Sequence, residues 1–111
     1  MIDEASKSGA DAIKFQTHIA ECEMIDTKVY LAHSKKETVY QLMKRCELSL
    51  EDHKKLLNYA KRKKITFIST PFSKLAVDRL ISFDVPAFKI GSGECNNYPL
   101  IEHISKFKRS K

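Results

Sequence analysis

ITFISTPFSKLAVDRLISFDVPAFKIGSG, residues 65–93, carries the fold in one run. Ile65-Thr66-Phe67-Ile68-Ser69-Thr70 is β-branched and aromatic, the composition of a strand, and Pro71 stops it. Ser73 then reads as the N-cap of a helix whose apolar positions are Leu75, Ala76, Val77, Leu80 and Ile81. Val85-Pro86-Ala87-Phe88-Lys89-Ile90 is a second strand that empties into Gly91-Ser92-Gly93. Strand, helix and strand in that order, with no tight hairpin signal between them, require parallel pairing through a crossover.

The same order extends upstream. Ser49-Leu50-Glu51-Asp52 has the form of a capping box with Asp in place of Glu. It opens a helix with Leu56, Leu57, Tyr59 and Ala60 as apolar contacts, ending near Lys63. Another helix is expected from about Lys36 to Arg45, with Val39, Leu42 and Met43 on one face. The stretch from His18 to about Ser34, including Val29-Tyr30-Leu31, keeps no period and reads as a loop. Asp11 to Thr17 is a strand, and the chain opens in a helix carrying Ile2, Ala5 and Ser6, with Gly9 as its stop. Downstream, Pro99 sits near the start of a last helix faced by Leu100, Ile101 and Ile104.

The order α-β-α-α-β-α-β-α is α/β. Three parallel strands cannot close on themselves, and a complete (β/α)8 barrel needs about 250 residues. The fold class expected is a partial TIM (β/α)8 barrel, about three parallel strands with crossover helices. A piece of a larger barrel is favoured over a small open sheet because the chain starts inside a helix and ends in Lys108-Arg109-Ser110-Lys111. Such a piece is expected to be marginal by itself, its apolar strand faces lacking partners.

Composition bounds the function. Of 111 residues, 42% are hydrophobic and 31% charged, an ordinary globular balance that excludes a disordered tail. No apolar run approaches the roughly 20 residues of a membrane span, and Met1-Ile2-Asp3-Glu4 lacks the layout of a signal peptide. A cytoplasmic protein without a membrane partner is expected. Cys22, Cys46 and Cys95 form no CxxC pair and no metal spacing with His18, His33, His53 or His103, and read as free thiols. The histidines show no pairing and read as surface or helix residues, and Cys95 reads as a small filler. Twenty basic against 14 acidic residues leave a net charge of +6, which raises nucleic acid as a partner. The basic residues gather at Lys61 to Lys64, a helix end where cations complement the dipole, at Lys35-Lys36, and from Lys106 to Lys111. The aromatics occupy apolar positions instead of interleaving with them, so no nucleic acid is expected.

Strand alternation shows where chemistry can sit. Ala12, Lys14 and Gln16 share one face, opposite Ile13 and Phe15. Thr66, Ile68 and Thr70 oppose Phe67 and Ser69, and Ala87, Lys89 and Gly91 oppose Phe88 and Ile90. If the phenylalanines pack on helices, both lysines point to the barrel interior. Two lysines there repel each other unless an anion sits between them, and phosphate or carboxylate suits ammonium groups. Thr70 and Ser92 add hydroxyl donors near the C-terminal strand ends, where barrel sites form. The competing reading makes each lysine a guard on a sheet edge.

Gly9-Ala10-Asp11-Ala12-Ile13-Lys14-Phe15-Gln16-Thr17, Ser69-Thr70-Pro71-Phe72 and Phe88-Lys89-Ile90-Gly91-Ser92-Gly93-Glu94 together resemble the sialic acid synthase family. Its members include N-acetylneuraminate synthase and the synthases of legionaminic and pseudaminic acids. The resemblance runs from Met1 to about Phe107 and covers the first through the fourth helix of the family's barrel. Residues 1–111 thus read as a piece of a phosphoenolpyruvate-dependent synthase barrel, without the family's C-terminal antifreeze-like domain. The resemblance implies condensation of phosphoenolpyruvate with N-acetylmannosamine or a related N-acetylated amino sugar. A carbon–carbon bond forms, phosphate leaves and a nonulosonic acid results. It also implies a divalent metal, Mn2+ or Mg2+, and a homodimer for a full-length relative. Carried onto this chain, it sets Lys14 and Lys89 against the phosphoenolpyruvate carboxylate or phosphate, with Thr70 and Ser92 donating hydrogen bonds. Gln16 and Glu94 become contacts on the sugar side. The family's catalytic glutamate would precede Met1 and its metal-ligating histidines would follow Lys111, so the chain alone is expected to be inactive, with no metal ligand of its own. The alternatives are a legionaminic or pseudaminic acid synthase and, from other classes, a small basic nucleic-acid-binding module or an inert remnant.

Overall fold

The run at residues 65–70 becomes the strand on which the molecule is built. We number the strands in chain order: β1 is Ala12–Thr17, β2 Tyr30–Leu31, β3 Ser34–Thr38 and β4 Thr66–Pro71. The helices are α1 (Ile2–Lys7), α2 (Ala20–Glu23), α3 (Val39–Cys46), α4 (Leu50–Arg62), α5 (Lys74–Ser82) and α6 (Tyr98–Ser105). The computed structural model describes residues 1–31 and 34–107; His33 and Lys108 to Lys111 lie outside the described residues. The architecture is α/β with parallel strands and crossover helices. Among the described residues, no helix is long and apolar enough to cross a membrane.

β1 lies parallel to β4, in register from Ala12↔Thr66 through Lys14↔Ile68 and Gln16↔Thr70 to Thr17↔Pro71. On the other side of β4, Phe88 makes a parallel bridge with Ser69, and the Lys89 amide donates to the Ser69 carbonyl at 3.0 Å. The strand expected over Val85 to Ile90 is reduced to this bridge. Pro86 has no N–H to offer a ladder, so the segment lies beside β4 with only local pairing.

Helix caps account for most boundaries. Ser73 accepts from the Ala76 amide at 3.2 Å, and Asn97 accepts from the Leu100 amide at 3.3 Å, with Pro99 in the first turn of α6. Ser49 accepts from the Asp52 amide at 3.0 Å, but the expected box is not completed. The Asp52 side chain, one methylene shorter than Glu, takes the Ser49 hydroxyl at 2.7 Å instead. The complete box is Thr38 with Gln41: each side chain bonds the other's backbone N–H, at 3.1 and 2.9 Å. That box starts α3 at Val39, three residues later than expected from Lys36. The loop expected over His18 to Ser34 also changes, since it contains α2 and one arm of an antiparallel pair, β2 with β3.

α1, α4 and α5 end in one repeated turn. The amides of Ala10, Ile65 and Val85 each reach back five residues, to the carbonyls of Ala5, Ala60 and Leu80. The residue before each, Gly9, Lys64 or Asp84, is left-handed, with φ of 78°, 56° and 53°. This is the Schellman closure, in which a left-handed residue lets the chain leave the helix with its last carbonyls satisfied.

The core lies between the sheet and the helices. Ile13, Phe67, Leu57, Leu80, Phe83 and Val85 are buried in it, and Phe15 and Phe88 pack against it. The Phe15 and Phe67 rings stack with centroids 5.2 Å apart. α1 buries Ile2 and is pinned to α4, because Asp3 pairs with Lys63 at 2.8 Å and accepts from the Tyr59 hydroxyl at 2.7 Å. Those two partners hold the Asp3 carboxyl below its ordinary range.

His53 lies in α4, a helix residue as expected, but it is not at the surface: it is completely buried. Its Nδ1 lies 3.1 Å from the Ser49 carbonyl, which can only accept, so Nδ1 carries the proton. Nε2 then accepts from the Thr17 hydroxyl at 3.1 Å, and Thr17 accepts from Ser69 at 2.8 Å. This chain of donors ties the start of α4 to the ends of β1 and β4. Burial pushes the His53 pKa below 6.5, against the Ser49 carbonyl, which favours the charged ring.

The shift sets a pH response. Above 6.5 the imidazole is neutral whether the chain is folded or not, and stability ignores it. Below that value the unfolded chain binds a proton that the folded chain refuses. Stability then falls, by at most about 1.4 kcal/mol per pH unit, and levels off below the depressed folded value. Urea melts across this window should show the fall in the parent chain and lose it in His53→Gln; an equal slope in both would assign it to other groups. In the same melts Phe67→Ala should cost about 3–5 kcal/mol, while Thr66→Ala on the open face should change stability by under about 0.5 kcal/mol.

Candidate functional site

The face of the sheet turned away from the helices carries the candidate residues. Ile13, Phe15, Thr17, Phe67, Ser69 and Phe88 all turn toward the core. Alternation therefore puts Lys14, Gln16, Ile68, Thr70 and Lys89 on the opposite side. The register makes rows of them. Gln16 stands level with Thr70, and the Ser69 bridge to Phe88 brings Lys89 to the same level; Lys14 stands one step lower, beside Ile68. The two lysines flank β4, two strand spacings or about 10 Å apart at the backbone. Lys14, Gln16 and Lys89 are exposed.

Lys14 and Lys89 lie on the flanks of the sheet, a placement that an edge guard would share. Among the described residues neither ammonium joins an ion pair, a state shared by Lys28, Lys54, Lys61 and Lys74, so pairing does not separate the readings. One observation does. Thr70, between them, is buried, and its hydroxyl has no hydrogen-bond partner among the described residues. A buried hydroxyl left without a partner is uncommon, and a ligand oxygen would satisfy it.

Past the row the chain turns tightly over Thr70. A Cβ on Gly91 would stand 3.4 Å from the Thr70 methyl carbon and 3.5 Å from the Phe72 ring. Ser92–Glu94 form a short 3-10 turn in which Ser92 is exposed, outside the row of lysines. Glu94 accepts from the Asn97 amide group at 2.7 Å. Cys95 is not a filler: it is exposed, with its thiol donating to the Gly91 carbonyl at 3.4 Å. Cys22 and Cys46 are free and exposed too.

One step beyond Gln16 and Thr70 on the same face come His18 and Phe72. Their rings stack, centroids 4.3 Å apart and planes within 10°. His18 Nδ1 meets Glu23 at 2.9 Å, and the other Glu23 oxygen accepts from the Ile19 amide at 2.7 Å. His18, Glu23, Met24, Phe72, Glu94 and Asn97 border a cleft of about 740 Å³. Gln16 and His18 also border an adjoining groove of about 510 Å³. Reading His18 as unpaired missed this corner. The signal was present in the step of two from Lys14 to Gln16 to His18. His103, likewise read as unpaired, meets Asp78 at 2.7 Å.

Among the described residues, no group of three histidine, cysteine, aspartate or glutamate side chains stands together to hold a metal ion. The His18–Glu23 pair falls short of a metal site for that reason, so these residues do not fit the divalent ion that the resemblance implies.

A model of the NeuB family matches residues 1–110. The chain is 45% identical over 106 residues to an uncharacterized protein of Methanocaldococcus jannaschii, covering 96% of this chain and 29% of that protein. It is 37% identical to the N,N'-diacetyllegionaminic acid synthase of Campylobacter jejuni, over 98% of this chain and 34% of that one. Identity to the N-acetylneuraminate-9-phosphate synthase of Mus musculus is 33%, over 96% and 31%. A solved N-acetylneuraminic acid synthetase of Leptospira borgpetersenii, in complex with citrate, superposes with a TM-score of 0.76 at 28% identity, over 96% of this chain and 34% of that one. The spore coat polysaccharide biosynthesis protein SpsE of Bacillus subtilis gives 0.71 at 32% identity, over 97% and 28%. The chain spans about a third of the length of these relatives. The parallel β1–β4 pair and its crossover helices thus match part of the α/β fold of these relatives, and the chain belongs to the NeuB family.

Proposed function

We propose that this chain supplies the phosphoenolpyruvate-binding wall of an N-acetylneuraminate synthase-like enzyme. The observation that carries the reading is the row itself: two unpaired lysines on one open sheet face, with the partnerless Thr70 hydroxyl between them. Phosphoenolpyruvate bears a carboxylate and a phosphate on a three-carbon frame. Lys14 and Lys89 offer one ammonium to each end, and Thr70 and Ser92 donate to the remaining oxygens. Gln16 and Glu94 stand toward the second substrate.

In the reaction proposed, C3 of phosphoenolpyruvate attacks the aldehyde carbon of N-acetylmannosamine or a related N-acetylated amino sugar. Water adds at C2, and phosphate leaves with the C–O bond electrons. The described residues bind and orient the phosphoenolpyruvate, neutralise its charge and hold its C3 toward the cleft; we assign none of them a bond-making step, and we propose that the chain alone binds without turnover. A legionaminic-type acceptor is the second reading. It is favoured by identities of 37% and 38% to legionaminic acid synthases, against 33% to the mouse N-acetylneuraminate-9-phosphate synthase.

Titration of the isotope-labelled chain with phosphoenolpyruvate, followed by NMR, should move the amides of Lys14, Thr70, Lys89 and Ser92 and weaken with added salt. Lys89→Ala should lower the affinity about tenfold and Ser92→Ala about threefold, the losses set by a charged and a neutral hydrogen bond. Unchanged affinity in Lys89→Ala would remove that residue from the wall. Shifts caused by RNA instead of phosphoenolpyruvate would transfer the chain to the nucleic-acid-binding class.

A further inference from the structure

We infer that His18, oriented by Glu23 and braced on Phe72, is a specificity-determining residue for the second substrate, its Nε2 accepting a hydrogen bond from a sugar hydroxyl. The inference rests on the reading of the lysine face as the phosphoenolpyruvate wall. Glu23 fixes the tautomer. A carboxylate accepts, so the proton of the neutral imidazole sits on Nδ1 and the lone pair on Nε2. Glu23 is itself held by the Ile19 amide at 2.7 Å, and the His18 and Glu23 side chains are only 13% and 6% exposed. The Phe72 stack keeps the ring from swinging. On the neutral ring Nε2 is thereby a fixed acceptor with no partner among the described residues, beside the 740 Å³ cleft and one step beyond Gln16 and Thr70.

The cleft's charge names the ligand class. Glu23 and Glu94 border it, against Lys74 alone on the basic side. A second anion would meet two carboxylates there. A neutral polyhydroxylated molecule would not, and its acetyl group could lie against Met24, Phe72 or Leu100. The lysine face and the cleft therefore select opposite kinds of molecule. A fixed acceptor rejects analogues that lack the matching hydroxyl, because its own lone pair is then left unpaired.

The test uses the chain with 15N-labelled histidine, titrated with N-acetylmannosamine in the absence and presence of phosphoenolpyruvate. The sugar should move the Nε2 resonance of His18 and leave Nδ1 nearly in place. His18→Phe, which keeps the stack on Phe72, should lower sugar affinity about tenfold while phosphoenolpyruvate affinity stays within about twofold. Glu23→Gln should cost less, about threefold, since its carbonyl still accepts from Nδ1. An unmoved Nε2, equal sugar affinity in His18→Phe, or no sugar binding would each overturn the inference. Failure of phosphoenolpyruvate to bind, with the sugar still moving Nε2, would sink the preceding reading and leave only the sugar contact at His18 standing. The nitrogen shifts are read on the parent chain, so the answer does not depend on a variant folding.

Discussion

Thr17 and Ser69 share a hydrogen bond in the core, and His53 closes it from α4. These three side chains lock β1 against β4 at one register, since a slip of β1 by one residue would turn Gln16 toward the core in place of Thr17. Everything on the open face inherits that choice. Gln16 stands level with Thr70 because Thr17 stands level with Pro71, and Lys89 reaches the same level because its amide bonds the Ser69 carbonyl. The polar groups in the core set the spacing of polar groups on the other side of the sheet.

The open face divides into two regions of opposite preference. Below, unpaired ammonium groups flank a buried hydroxyl; above, a histidine–glutamate pair and Glu94 border a cleft with apolar patches. The boundary between them is the stack of His18 on Phe72. In the function we propose, an anionic substrate and a neutral one meet across that boundary, which is what a condensation between them needs. The order of the lysines, the glycine turn and Glu94 along the chain places each region on the end of a strand, where side chains from different elements converge.

The parallel pairing, the crossover helices and the shared face of Lys14 and Lys89 were legible because each rests on a strong period: two for the strands, near 3.6 for the helices. What was not legible depended on contacts far apart in sequence. His53 reads as one more polar residue on a charged helix, and only the approach of Thr17, 36 residues away, makes it a core group. The β2–β3 pair lacks alternation, since Ser34-Lys35-Lys36-Glu37-Thr38 contains no apolar residue, so its strand character comes from its partner alone. The third strand was placed correctly but drawn too long, because a proline in an apolar run still looks like a strand until the missing N–H is counted. His18 was hidden for another reason: its partner Glu23 lies five residues on, a spacing that no regular element brings together.

The repeated turn after α1, α4 and α5 has one further consequence. The same joint delivers the chain from helix to sheet three times, and only its first copy uses glycine. Lys64 and Asp84 hold left-handed backbones that cost an L-residue about 1–2 kcal/mol each. The geometry of the joint is thus imposed by the packing of the elements it connects and not by local preference. Two corners of the scaffold carry conformational tension that a residue without a side chain would relieve.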